Sequence, residues 1–244
     1  MVLISAEDFC VRTRTKLVCL MFSDTQNIFF HLAEKAGSNQ LTIPFTMVDL
    51  ADYLSVDPMF GTMEDVEELI READIRGMGC MFDMVFNHTS TEHPWFKKAL
   101  EGNPEYMDYY IFREGSPDAP PTNWQSKFGG NAWEYVPRLK KWYLHLFDVS
   151  QADLNWDNPR VRQELKEVIL FWKAKGVKGF RFDVVNLISK PDIFEDDHKG
   201  DGRRFYTDGP RVHEFLQEMS RDVFIPRHLM TVGEMSSTSL EHCQ

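Results

Sequence analysis

The chain has 244 residues, 43% hydrophobic and 27% charged, with 14 Gly and 12 Pro scattered along it. That composition excludes disordered, collagen-like and low-complexity classes and leaves one large globular domain or two small ones. Twenty-seven basic against 38 acidic residues give a net charge of −11, which argues against a nucleic-acid partner held by bulk charge; a few arginines would still suffice for a local phosphate. Glu7 and Asp8 stand where a secretory signal carries its apolar core, and the apolar run Leu17 to Phe22 is six residues long, against about 20 for a membrane span. Cys10, Cys19, Cys80 and Cys243 form no C-x-x-C pair, so neither a disulfide framework nor a zinc site is expected. The expected setting is a reduced cytoplasm, with no membrane partner and no cofactor.

In chain order, the first 45 residues carry no convincing strand–helix unit, although Leu41 to Phe45 reads as a short strand. The first full unit begins near Asp57. Thr62 caps a helix with Asp65 as a capping box, Val66, Leu69, Ile70 and Ala73 form one apolar stripe, and Gly77 closes it. The short apolar run Gly79 to Phe86 then reads as a buried parallel strand. The pattern returns with Asn158-Pro159 as N-cap and N1, a stripe of Val161, Leu165, Val168 and Trp172, a stop at Gly176, and a strand from Gly179 to Val185. A third round starts near Pro210, continues through Val212, Phe215, Leu216 and Met219, and ends in the strand Leu229 to Gly233. Three helix-then-strand units imply a parallel sheet with crossover helices, either a (β/α) barrel or an open doubly wound sheet. Between His88 and Val149 the alternation stops, in a stretch holding Trp95, Trp124, Trp133 and Trp142; it reads as a small inserted subdomain whose aromatics suit a sugar-stacking surface, although a Trp is more often core than platform.

The chemistry gathers at the strand ends. The first strand runs into Asp83, Asn87 and His88, the second carries Arg181, Asp183 and Asn186, and the third ends in Glu234. Residues two apart on a strand share a face, so Arg181 and Asp183 project together, and the guanidinium keeps the carboxylate ionised as a nucleophile requires. Glu234 supplies a second carboxyl, and two carboxyls about 5–5.5 Å apart are the arrangement of a retaining glycosidase. The bland reading is a set of structural salt bridges; three polar ends on successive strands beside a Trp-rich insert favour a site. A different chemistry, a metal-dependent barrel lyase with Asp83, Asp183 and Glu234 as ligands, is opposed by the fixed cation Arg181. The basic run His198 to Arg204 suits either a solvated loop or a phosphate contact through Arg203 and Arg204; its Asp201 and glycines lack the later Glu of a calcium loop.

These same residues carry a resemblance. Asp83-Met-Val-Phe-Asn-His88, Gly179-Phe-Arg-Phe-Asp183-Val-Val-Asn186 and Val232-Gly-Glu234 resemble three signature segments of the α-amylase-type glycoside hydrolases. From about Asp49 to Gln244 the chain is similar to the branch holding oligo-1,6-glucosidases and trehalose-6-phosphate hydrolases. The segments 123–130, 200–210 and 232–243 look most like the phosphotrehalase. The resemblance implies a partial (β/α)8 TIM barrel over residues 46–244, with residues 89–149 inserted after the third barrel strand and residues 1–45 divergent.

The resemblance further implies Asp183 as nucleophile, Glu234 as acid/base, and His88, Arg181 and Asp49 as sugar binders, with Val184 favouring α-1,6 or α-1,1 linkages. The substrate it implies is a small-molecule sugar, trehalose 6-phosphate, split into glucose and glucose 6-phosphate; an oligo-1,6-glucosidase and a non-catalytic sugar-binding remnant stand as alternatives. Val48 stands where the family carries a stacking Tyr, and Gln244 lies ten residues past Glu234. The chain is therefore expected to be a truncated, inactive copy.

Overall fold

In the computed structural model, which describes residues 16–21, 42–44, 51–56 and 61–237, the strands are β1 (Lys16–Met21), β2 (Thr42–Pro44), β3 (Met78–Met84), β4 (His88–Ser90), β5 (Phe112–Glu114), β6 (Trp133–Val136), β7 (Lys141–Leu144), β8 (Gln151–Asp153), β9 (Gly179–Phe182) and β10 (Met230–Gly233). The α-helices are α1 (Met63–Ile75), α2 (Pro94–Leu100), α3 (Pro104–Met107), α4 (Pro159–Ala174), α5 (Arg203–Tyr206) and α6 (Val212–Met219). The chain divides into two units, one of residues 1–84, 166–183 and 218–234, the other of residues 85–165, 184–217 and 235–244.

The first unit is built on a parallel sheet in the order β10-β9-β3-β1-β2. Helix α1 forms where its local signals are complete. Thr62 Oγ1 accepts from the Asp65 N–H at 3.3 Å, and Asp65 returns the bond to the Thr62 N–H at 2.7 Å. Val66, Ile70 and Ala73 are buried along its inner stripe, and Gly77 takes a left-handed φ of +71° to end it. Phe82 on β3 packs edge-on against Trp172 of α4 at 5.0 Å, and Phe182 on β9 meets Phe224 at 5.4 Å. Glycine at 179 lets β10 close on β9, because a Cβ there would meet the Met230 carbonyl oxygen at 2.8 Å. The buried ammonium of Lys166 joins α4 to the end of α6 and the segment after it through Glu218 at 2.7 Å and Asp222 at 2.8 Å.

Strand β1 falls where the sequence reading assigns no strand. Its apolar run lacks helical periodicity and lies between segments without turn signals, so a reading that looks for strand–helix pairs passes over it. It pairs with β3 along five residues, Lys16 to Leu20 against Met78 to Phe82. A strictly sequential barrel order would place β2 between β1 and β3; here β1 intervenes and β2 is an edge strand, ending at Pro44, which has no N–H for a ladder.

In the second unit β4 pairs antiparallel with β8, His88 opposite Asp153, and β5, β7 and β6 form an antiparallel sheet with β7 in the middle. Its core gathers Trp124, Trp133, Trp142, Leu144, Leu146, Leu187 and Tyr206. The indole N–H groups of Trp124, Trp133 and Trp142 donate to Glu195 O, Thr122 Oγ1 and Ser116 O, at 2.9–3.1 Å. These three tryptophans are thus core anchors with satisfied N–H groups, which decides between core and sugar platform in favour of the core for them. Cys80 is buried and unbridged, and burial pushes its thiol up to about 11, which leaves it unreactive. No described helix is long and apolar enough to cross a membrane.

Candidate active site

Three parallel strands bring four charged side chains of the first unit together. Asp83 and Arg181 occupy the same rung of β3 and β9, so their side chains leave the sheet on one face. Asp183 lies two residues beyond Arg181 on that face, and its N–H is fixed by the Met84 carbonyl at 3.0 Å. Glu234 follows β10, its N–H bonded to Phe182 O at 2.9 Å. The Arg181 guanidinium, 13% exposed, is the hub: Nη1 contacts Asp83, while Nη2 contacts Asp183 at 2.9 Å and also Glu234. One nitrogen meets an oxygen of both, so the carboxyl groups of Asp183 and Glu234 share a single cation. A fork of fixed donors holds a fully buried Asp83 and presents the other two, Asp183 at 29% and Glu234 at 48% exposure. The same cation stands where a metal would sit between these carboxylates, and among the described residues no group of three or more His, Cys, Asp or Glu is placed to hold a metal ion.

The turn after Asp183 is strained. Val184, buried and β-branched, takes φ +40° and ψ +39°, a left-handed conformation that such a residue adopts only when its surroundings impose it.

His88 lies in the second unit, inside a buried polar network that the sequence reading did not find. Asn87 Nδ2 approaches its Nδ1 at 3.2 Å, and Gln151 Nε2 its Nε2 at 3.1 Å. Asn87 Nδ2 also donates to Asp153 at 3.0 Å, and Lys190 Nζ binds Asn87 Oδ1 at 2.9 Å and Asp153 at 2.8 Å. Burial, outweighing the pull of Asp153, drives the His88 imidazole down to about 4, so the ring is neutral near pH 7. Burial likewise lowers the Lys190 ammonium from its ordinary value, with Asp153 opposing. Asp153, at the end of the short strand β8, stands in a segment of mixed polarity and gave no sequence signal of its own.

Arg203 and Arg204 both face loop carboxylates. Arg203 pairs with Asp201 at 2.8 Å, and Arg204 Nε donates to the buried Asp197 at 3.0 Å while lying 4.3 Å over the Phe205 ring. The Lys199 N–H first, then that of Gly202 and the Arg204 guanidinium, hold the Asp197 carboxyl below the usual range. Asp49, like Val48, lies outside the described residues.

An alpha-amylase catalytic-domain model matches residues 43–244, and the chain belongs to that family, whose fold is the TIM barrel. It is 61% identical over 196 residues to a trehalose-6-phosphate hydrolase of Escherichia coli (strain K12), covering 80% of this chain and 36% of that protein. A trehalose-6-phosphate hydrolase of Bacillus subtilis is 53% identical over 197 residues, covering 80% and 35%, and an oligo-1,6-glucosidase of Parageobacillus thermoglucosidasius is 48% identical over 194, covering 76% and 34%. Among solved structures, the Bacillus licheniformis trehalose-6-phosphate hydrolase superposes with a TM-score of 0.79 at 50% identity, covering 93% of this chain and 38% of that one. The chain therefore spans little more than a third of the length of these relatives.

Proposed function

We propose that this chain carries the nucleophile and the acid/base of a retaining α-glycosidase acting on trehalose 6-phosphate. The observation that carries the reading is Arg181 bridging Asp183 and Glu234 at the ends of adjacent strands. In the first step Asp183 attacks the anomeric carbon while Glu234 gives its proton to the departing oxygen, releasing glucose 6-phosphate. In the second, Glu234 takes a proton from water, which displaces glucose from Asp183 with net retention. Arg181 holds Asp183 in line and His88, neutral, serves as a hydrogen-bonding partner for the sugar. Asp49, Arg203 and Arg204 complete the proposed substrate contacts.

Residues 46–244 are proposed as the barrel portion, with residues 89–149 as the subdomain inserted after the third barrel strand and residues 1–45 as a divergent segment. A phosphorylated disaccharide is a cytoplasmic metabolite by its charge, and we place the protein there. Similarity to trehalose-6-phosphate hydrolases supports the phosphorylated substrate, and similarity to oligo-1,6-glucosidases supports the second reading, hydrolysis of isomaltose.

The test replaces the matching segment of the Escherichia coli relative with residues 46–244 and assays both sugars. The reading predicts turnover of trehalose 6-phosphate that Asp183→Asn or Glu234→Gln abolishes. Turnover of isomaltose alone moves the chain to the oligo-1,6-glucosidase branch, and sugar binding without any turnover leaves a non-catalytic binder. The isolated 244-residue chain is expected to bind without turnover.

A further inference from the structure

Residues of the segments 123–130, 200–210 and 232–237 meet at one side chain of the second unit, Lys127. Its Nζ donates to Ser236 Oγ at 3.0 Å and Ser237 Oγ at 3.3 Å, and lies 5.8 Å from the centre of the Tyr206 ring. The neighbouring Gln125 N–H donates to Asp201 O at 2.9 Å, joining the first segment to the second.

The cradle is held from several sides. Lys127 N–H donates to Leu146 O at 2.8 Å, and Ser126 Oγ donates to Phe147 O at 2.6 Å. Ser236 is clamped by Asn186, which accepts its N–H at 2.8 Å and donates to its carbonyl at 2.9 Å. Among the described residues no carboxylate forms an ion pair with Lys127. Burial, then the nearby charge of Arg203, lowers its ammonium from the ordinary value, while the charges of Asp201 and Asp153 oppose that shift.

We propose that Lys127 with Ser236 and Ser237 binds the phosphate monoester of a sugar phosphate, Arg203 adding a second positive charge. The two hydroxyl oxygens accept from Nζ, which leaves both O–H groups and the third ammonium hydrogen as donors for a dianion's oxygens. Beside the cradle, Phe128 exposes 68% of its surface and is supported edge-on by Phe147 at 5.8 Å, which in turn meets His88 at 5.0 Å. An apolar ring next to a phosphate cradle suits a sugar carrying that group. Ser236 follows Glu234 by two residues, so the covalent chain alone keeps the two Cα atoms within about 7 Å.

The assignment of a sugar rests on the glycosidase reading, and the test separates the two. Titration calorimetry of the 244-residue chain with trehalose 6-phosphate, trehalose and inorganic phosphate is compared with Lys127→Met and Lys127→Arg. Lys127→Met is expected to weaken trehalose 6-phosphate about 10- to 100-fold more than trehalose, the range that one charge-assisted hydrogen bond supplies, while Lys127→Arg retains most of the preference. Thermal unfolding of both variants checks that they fold. The proposal falls if Lys127→Met weakens both sugars equally or neither, or if the unaltered chain binds trehalose 6-phosphate no better than trehalose. It also falls if inorganic phosphate binds as tightly as the sugar phosphate, which marks a general anion site. Glycosylation of Asp183 by a trapping reagent decides the glycosidase reading separately: trapping together with a Lys127-independent preference removes the subsite alone.

Discussion

Arg181 and Asp83 stand on one rung of neighbouring parallel strands, and from that rung the guanidinium reaches on to Asp183 and Glu234. One planar donor group therefore links charges from three strand ends. Lysine has the charge but only a single point of contact. Arg181→Lys in the Escherichia coli chimera is expected to lower kcat by about 10²–10³-fold, the usual cost of losing one electrostatic or positioning group. Steady-state kinetics on trehalose 6-phosphate reads it; a change in KM alone would contradict it.

The neutral His88 makes stability pH-dependent in a definite direction. Above about pH 6.5 the ring is neutral in both folded and unfolded chains; below that the unfolded chain takes up a proton, while the folded ring stays neutral until about pH 4. Its contribution is thus complete above pH 6.5 and lost as pH falls, amounting to about 3 kcal/mol at pH 4. Urea midpoints of the chain and of His88→Gln, at pH 7 and pH 4.5, should show the variant losing distinctly less stability on acidification.

Asp153 and Lys190 form a buried ion pair at 2.8 Å, with side chains 0% and 4% exposed. Removing one partner strands the other charge, so Asp153→Leu alone is expected to cost about 3–5 kcal/mol. The double variant Asp153→Leu with Lys190→Met is expected to recover a substantial part of that loss. Urea denaturation of the two variants provides the comparison, and equal losses would show that the pair is not the unit of stabilisation.

Gly202 packs against Trp124, and a Cβ there would come within 2.4 Å of the indole in a backbone already at φ +92°. Gly202→Ala is expected to destabilise by about 2–4 kcal/mol through overpacking and left-handed strain together. Loss of Trp124 burial would also shift its fluorescence, which reports the loop directly. An unchanged melting temperature would contradict this packing.

Signals that act over a few residues were legible in the sequence. The Thr62–Asp65 capping box, the stop at Gly77, the proline start of α4 and the strand ends carrying Asp83, Arg181, Asp183 and Glu234 all depend on near neighbours. What escaped depends on partners far along the chain. β1 is defined by its ladder to β3, Asp153 by Asn87 and Lys190, and Lys127 by serines more than a hundred residues away. The tryptophans were ambiguous because an indole serves a core and a sugar platform equally well by composition; burial and N–H partners decided for the core. The arginine pair drew attention as a charge run, yet a run cannot reveal that Asp197 and Asp201 already face it.

Covalent trapping tests the central claim most directly. The chimera carrying residues 46–244 is treated with a 5-fluoro-α-glucosyl fluoride, which forms the glycosyl–enzyme bond quickly and hydrolyses it slowly, and the digest is read by mass spectrometry. The account predicts one added 5-fluoroglucosyl group on the peptide containing Asp183, lost in Asp183→Asn. Label on another residue, or inactivation with no covalent adduct on Asp183, would contradict a retaining mechanism through this carboxylate.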